Sequence, residues 1–260
     1  MRRILWFVKH RLRAKTLHGT HSPFVYDLIE HCCYAQSPME LERVHAHFQR
    51  LKHSKDVVIG VDYGKKPQPV EYRISNLAKT SSSRDFESAL LAALALYHNS
   101  AKILELGTNI GKSAACIAAV NLRSKVTSIE GNAAICDVAK SQFESLGLVN
   151  IQVINEHFEV FWQTNEGRFD FIFIDGDHNY DSTIRNFNEA KQRLQGQGPI
   201  VLHDIYWSAE MGRAWDEIKR DPQATVCIDL FFFALVYFRP QQQKEHFDIR
   251  FPESLFRLLF

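Results

Sequence analysis

Residues 103–113 read Ile-Leu-Glu-Leu-Gly-Thr-Asn-Ile-Gly-Lys-Ser, and the fold turns on how they are read. Ile103, Leu104, Glu105 and Leu106 suit a buried strand, and they run into a turn bounded by Gly107 and Gly111. The small residues Ser113 to Ala119 that follow suit a helix lying close against a sheet. Strand, glycine turn and helix start together cradle an anionic or polar ligand, because unpaired N–H groups and the positive end of the helix dipole face the turn.

Two common ligands fit this spacing poorly. A phosphate loop needs four residues between its glycines before Lys and Ser/Thr, and Gly107-Thr-Asn-Ile-Gly111-Lys112-Ser113 has one too few for its N–H groups to converge on a triphosphate. The apolar run Phe171–Asp175 imitates the acidic strand that accompanies such loops, but the loop length still fails. A dinucleotide turn needs three glycines; here Asn109 stands between two and there is no third.

Working outward, 260 residues with 45% hydrophobic and 23% charged side chains describe a globular domain with a sizeable core. A net charge of +1 argues against a surface built for nucleic acid. Cys32, Cys33, Cys116, Cys136 and Cys227 are odd in number and lack C-x-x-C spacing, which fits a reducing compartment better than disulfides or a zinc site. No apolar run reaches membrane-spanning length, and Ile4–Val8 is too short for a signal core, so the expected location is the cytoplasm.

Charge is uneven at the start. Arg2, Arg3, Lys9, Arg11, Arg13 and Lys15 precede the first acid, Asp27, on a segment with helical apolar spacing. Such a helix touches a membrane surface, RNA or an acidic partner, or it packs on its own domain or a second subunit with its basic face solvated; the packing reading is preferred. Ser22-Pro23 and Ser37-Pro38 are helix starts, opening helices to about Tyr34 and Arg50. His18, His21, His31, His45, His47 and His53 match no ligand spacing and are expected on the surface. Gly60, Gly64, Pro67 and Pro69 make residues 54–70 irregular, a connector or a flap, and helices are expected over Tyr72–Lys79 and about Arg84–His98.

From Ala101 short apolar strands alternate with helical stretches. Candidate strands are Lys102–Leu106, Lys125–Glu130, Ile151–Asn155, Phe169–Asp175, Pro199–His203 and Thr225–Leu230, which implies a mostly parallel sheet with helices on both faces. The segment Asp229–Phe238 reads as two strands about a tight reversal, so the last strand must run antiparallel.

Glu105-x-Gly107-x-x-x-Gly111-x-Ser113 resembles the first motif of class I S-adenosylmethionine-dependent methyltransferases. It is most similar to the O-methyltransferase branch with the catechol and caffeoyl-CoA enzymes, where E-[LI]-G-x-x-x-G-x-S is usual. Asn109 replaces the middle glycine of many class I members, and Asn tolerates positive φ well. The resemblance runs from about Lys102 to Trp207, more loosely to Phe238. It implies a Rossmann-like doubly wound, seven-stranded, mostly parallel sheet with the last strand antiparallel. An N-terminal helical segment and flap or connector over 1–70 would precede a methyltransferase domain over 71–260. Glu130 lies 23 residues after Gly107, at a strand end where a carboxylate can accept from both ribose hydroxyls. The resemblance assigns Glu130 to the ribose and Glu156 to the adenine amino group. Gly107, Thr108, Asn109, Gly111 and Ser113 fall to the methionine half, with Glu105 holding the turn or the ammonium.

Asp175-Gly-Asp177-His178-Asn179-Tyr180 resembles the D-G-D-H-x-Y segment of bacterial relatives, and His203-Asp204 their H-D segment. In metal-dependent members the carried-over positions Asp175 and Asp204 would bind Mg²⁺, while Ile205 stands where a third ligand, Asn, is usual. Without metal, His178 is the best general base beside Asp175 or Asp177. The expected activity is methyl transfer to the hydroxyl of a small molecule, with Asp175, His178 and Asp204 nearest the acceptor and segments 18–80 and 205–215, including Tyr206 and Trp207, shaping its pocket. The alternatives are an RNA or protein methyltransferase guided by the basic N-terminus and a protein that only binds the cofactor. The N-terminal helices are the expected face of a homodimer.

Overall fold

The computed structural model describes residues 2–34, 38–62 and 68–252. Ten α-helices and ten strands lie along these residues, and eight of the strands contribute to a mixed, mostly parallel sheet. The chain forms two compact units, Gln36–Gly167 and the pair of segments Met1–Ala35 with Arg168–Phe260. Among the described residues no helix is long and apolar enough to cross a membrane.

The segments 1–35 and 168–260 begin with α1 (Arg2–Arg13) and α2 (Pro23–Cys33). Ser22 caps α2 by accepting from the Val25 N–H, with Pro23 at the first helical position, as the sequence predicts. The unit Gln36–Gly167 holds α3 (Met39–Leu51), the hairpin β1 (Val57–Asp62) and β2 (Gln68–Arg73), then α4 (Ile74–Asn76) and α5 (Asp85–Tyr97). The hairpin corrects two expectations. Residues 57–62 are strand rather than irregular, and the helix expected from Tyr72 starts only after β2 ends. Alternating Val58, Gly60 and Asp62 pair with Tyr72, Val70 and Gln68, while Ile59 is 76% exposed, so little apolar burial announces the strand.

In the same unit β3 (Lys102–Leu106), α6 (Lys112–Val120), β4 (Lys125–Glu130), α7 (Ala133–Leu146), β5 (Ile151–Asn155) and α8 (Phe158–Thr164) follow in order. The strands pair parallel in the order β3-β4-β5, with the bounds expected from sequence. Ala114, Ala115, Cys116, Ile117 and Ala118 of α6 are fully buried, and their small side chains let the helix lie close.

Returning to the other unit, β6 (Phe171–Ile174), α9 (Tyr180–Arg193), β7 (Ile200–His203), α10 (Ala209–Ile218), β8 (Val226–Asp229), β9 (Phe233–Tyr237) and β10 (Glu245–Asp248) complete the chain. Its strand order is β10-β8-β9-β7-β6, with β9 antiparallel to both neighbours. The reversal between β8 and β9 is held by Asp229, whose Oδ1 accepts from the Phe231 N–H at 2.8 Å and keeps Phe231 at φ 77°. The sheet has eight strands rather than seven, because β10 adds to β8 in parallel. Only Phe247 of β10 is buried, too weak an apolar signal to read from sequence.

One close approach in this unit tests the packing. A Cβ on Gly198 would lie 1.7 Å from the Asp170 carbonyl oxygen, a contact that only backbone movement relieves. Gly198→Ala should therefore destabilise by about 2 kcal/mol or more. Gly147, at φ 67° with nothing within 4 Å of an added methyl, should cost only about 1 kcal/mol as Ala. Urea unfolding of the two variants checks the order.

Candidate functional site

The turn after β3 is built by backbone conformations that few residues adopt. Gly107, Asn109 and Gly111 take φ of 103°, 48° and 88°. Asn109 sustains its value through a side-chain bond, its Oδ1 accepting from the Ile110 N–H at 2.7 Å. Gly111 is required twice over, since a Cβ there would lie 2.4 Å from the Phe143 ring. Beneath the turn Glu105 is fully buried and accepts from the hydroxyls of Ser113 and Ser128, while Thr108 Oγ1 and Ser128 Oγ lie 2.6 Å apart. Glu105 thus holds the turn from below, tying β3 to β4 and to α6.

Glu130 closes the far side. Its Oε2 accepts from the Asn109 N–H at 3.0 Å and its Oε1 from the Asn132 N–H at 2.9 Å. These two bonds fix the carboxylate at the end of β4, beside the turn. Asn132 is a site residue that the sequence motifs do not mark. It caps α7 through Oδ1, and its Nδ2 donates to the Val61 carbonyl at 3.0 Å, which ties the hairpin to this edge of the sheet. The Asn before an apolar helical run is the signal that could have found it. Glu156 lies half-buried just past β5.

Lys112, the lysine of the apparent G-K-S, points elsewhere. Its ammonium is 5% exposed and donates to the Ser83 carbonyl at 2.7 Å and to Asp85 Oδ1 at 2.6 Å, at the start of α5. No triphosphate could use it there. His45 and His47, expected on the surface, are half-buried: His45 Nε2 meets Ser88 Oγ at 3.1 Å and His47 Nε2 meets Gln142 Oε1 at 2.9 Å, so α3 is joined to α5 and α7.

The other unit gathers the acid and imidazole groups at the carboxyl ends of β6 and β7, where open α/β sheets bind ligands. His203 Nδ1 donates to Asp175 Oδ1 at 2.7 Å and lies 4.0 Å from Asp204 Oδ2. His178 Nε2 stands 3.7 Å from the same Asp175 oxygen. Asp177 and Asp204 hold φ of 53° and 52°, left-handed conformations at this edge. Asp177 is exposed and is not the cap of α9; Asn179 is, accepting from the Ser182 N–H at 3.0 Å. Tyr206, expected to shape a pocket, instead gives its hydroxyl to Asp229 at 2.6 Å and stacks on Phe231. Trp207 is 57% exposed, its ring 6.3 Å from that of His178.

Arg3 is the residue that sequence reasoning missed here. Its Nη2 donates to Asp204 Oδ1 at 3.1 Å, and its guanidinium carbon lies 5.6 Å from the Trp207 ring centre. The 3-7-10 spacing of Arg3, Phe7 and His10 on one helix face was the signal available.

The donor set does not suit a Mg²⁺ ion. Asp175 is engaged by His203 and Asp204 by Arg3, and Ile205, at the position of the third ligand, is 1% exposed in the core. Among the described residues the three side chains whose ligand atoms come within 4.8 Å of one another are His10, Asp229 and Asp248. There Asp229 already accepts from Tyr206, Trp215, Phe231 and His10, and Asp248 Oδ2 pairs with Arg13, so the cluster is held together by its own protein partners. The turn after β3, by contrast, suits a nucleoside-bearing cofactor, with the start of α6 on one side and the Glu130 carboxylate at the end of β4 on the other.

Residues 104–205 match the family model described as a methyltransferase domain. No sequence among the curated proteins matches this chain. Among solved structures, the chain is similar to the S-adenosylhomocysteine-bound methyltransferase PaMTH1 of Podospora anserina at 14% identity, covering 85% of this chain and 97% of that one with a TM-score of 0.60. It is similar to an O-methyltransferase of Bacillus cereus in complex with S-adenosylhomocysteine at 17% identity, covering 82% and 96% with a TM-score of 0.57. Likeness at such identity is likeness of fold.

The Lys112–Asp85 pair yields a pH test. Burial opposes the Asp85 charge, but the hydrogen bond and charge of Lys112, with His45 and Gln49, outweigh it and lower its pKa below the ordinary carboxylate value. A carboxyl whose folded pKa is depressed stabilises above its unfolded pKa, and that stability is lost as pH falls through the folded value. Lys112→Met should cost about 1–2 kcal/mol at neutral pH, discounted because Asp85 is 43% exposed. The gap from wild type should shrink below about pH 4, which urea unfolding across pH would show.

Proposed function

We propose that this chain, whose residues 104–205 form a methyltransferase domain on the class I O-methyltransferase-like fold, moves a methyl group from S-adenosylmethionine to a hydroxyl of a small molecule. The observation that carries the reading is the pairing of the Gly107–Gly111 turn with Glu130, whose carboxylate accepts from the Asn109 and Asn132 N–H groups and so is fixed at the strand end where a ribose diol would be held. The methionine half would lie along the turn, where the start of α6 favours a carboxylate. Glu156 is the residue assigned to the adenine amino group.

S-adenosylmethionine brings a methyl carbon already activated by a sulfonium sulfur. What remains for the protein is to place an oxygen in line and remove its proton. His178, beside Asp175 and less shielded than His203, is assigned the proton. Asp175 holds His203 by a hydrogen bond and stands 3.7 Å from His178, and a carboxylate so placed stabilises the imidazolium that forms. With S-adenosylmethionine bound, the acceptor oxygen would take the methyl group, the C–S electron pair would stay on sulfur, and the hydroxyl proton would end on His178. The charge of the sulfonium is thereby discharged, and the products are a methyl ether and a neutral thioether.

Two measurements test the reading. Calorimetry of the purified chain with S-adenosylhomocysteine should show one site, and Glu130→Ala should weaken it about tenfold or more, the loss of charge-assisted bonds of about 1.5–3 kcal/mol. Well-folded wild-type protein that binds neither S-adenosylmethionine nor S-adenosylhomocysteine would sink it. His178→Ala should leave that binding intact and lower turnover by about 10²–10⁴.

A further inference from the structure

We infer that the Arg3 guanidinium takes the place of a divalent cation at the acceptor site, holding the acceptor oxygen as it loses its proton. This rests on the methyl-transfer reading and names a residue that reading lacks.

Three observations carry it. First, the carboxylate that would ligate a cation already holds one: Arg3 Nη2 lies 3.1 Å from Asp204 Oδ1, and a guanidinium stays charged at any working pH. Second, Arg3 has donors to spare. One Nη2 bond engages Asp204 while the side chain keeps 34% exposure, so its outer N–H groups can meet a ligand oxygen. Third, the guanidinium lies 5.6 Å from the centre of the Trp207 ring, which is 57% exposed and 6.3 Å from the His178 ring. A flat acceptor can stack on that indole with its hydroxyl between the base and the guanidinium.

The placement of Arg3 is built into the helix. Arg3, Phe7 and His10 share one face of α1. Phe7 is 2% exposed with its ring 4.9 Å from Phe231, and His10 Nε2 donates to the Asp229 carbonyl at 3.1 Å. With those two anchored, the first turn of α1 brings position 3 to Asp204. A donor held in advance beside the oxygen stabilises the developing oxyanion without reorganising at the moment of reaction. Arg3 keeps its protons throughout; the hydroxyl proton goes to His178, as above.

The experiment uses the full chain with 4-nitrocatechol, whose phenolate absorbs in the visible, at a pH below its first ionisation, with S-adenosylhomocysteine and EDTA present. Wild type should bind the probe and raise the phenolate band in chelator. Arg3→Gln should weaken probe binding about tenfold or more and abolish the band, and Arg3→Lys should restore part of it. S-adenosylhomocysteine affinity measured on the same samples should stay at the wild-type value in both variants, showing that they fold. A phenolate band that needs added Mg²⁺, a band unchanged in Arg3→Gln, or no probe binding while S-adenosylhomocysteine still binds would each overturn the inference alone. Absence of S-adenosylhomocysteine binding by wild type would instead remove the methyl-transfer reading, and this inference with it.

Discussion

A carboxyl group with no exposure to water sits beneath the turn that carries the cofactor reading. Burying such a group costs several kcal/mol unless its lone pairs are filled. Glu105 meets that demand with the hydroxyls of Ser113 on α6 and Ser128 on β4, and Thr108 joins the same chain of hydroxyls. The result is a geometric tie among β3, β4 and α6. Because each partner is needed to satisfy the acid, the turn above has one shape, and its left-handed residues at 107, 109 and 111 are sustained rather than merely tolerated.

A second buried acid plays the same part in the other unit. Asp229 is 3% exposed and accepts from Tyr206, Trp215, the Phe231 N–H and His10. Burial disfavours its charge, but His10, then Tyr206 and the Phe231 N–H, outweigh it and hold its pKa below the usual carboxylate value. One side chain thus fixes the β8–β9 reversal, the segment after β7 and the docking of α1. That third consequence is what delivers Arg3 to Asp204. The N-terminal helix is therefore part of the architecture of the acid and imidazole cluster, and its charge pattern has two sides: Arg3 and His10 face inward, while Ile4, Leu5, Val8 and Leu12 remain exposed.

Much of this was legible in the sequence wherever local chemistry and burial pointed the same way. The bounds of β3, β4 and β5 follow from apolar runs punctuated by turn residues, and the cap of α2 follows from Ser22-Pro23. The turn was readable because its glycines are required by backbone conformation, which leaves few alternatives. The hairpin and β10 were not, since most of their side chains are exposed and their stability comes from backbone pairing rather than from an apolar pattern. His45 and His47 misled for the same reason: spacing excludes a metal site but says nothing of Ser88 or Gln142 across the packing.

The sequence by itself determined the alternation of strand and helix, the shape of the turn after β3 and the acids at the ends of β4, β6 and β7, because these depend on residues close together in the chain. Only the tertiary structure decided what each charged group faces. Lys112 turns to Asp85 and away from the turn, Tyr206 turns inward to Asp229, and Arg3 crosses 201 positions of sequence to reach Asp204. The physical reason is that a charge takes its role from the partner that satisfies it, and pairing over such separations is set by how the helices and strands pack.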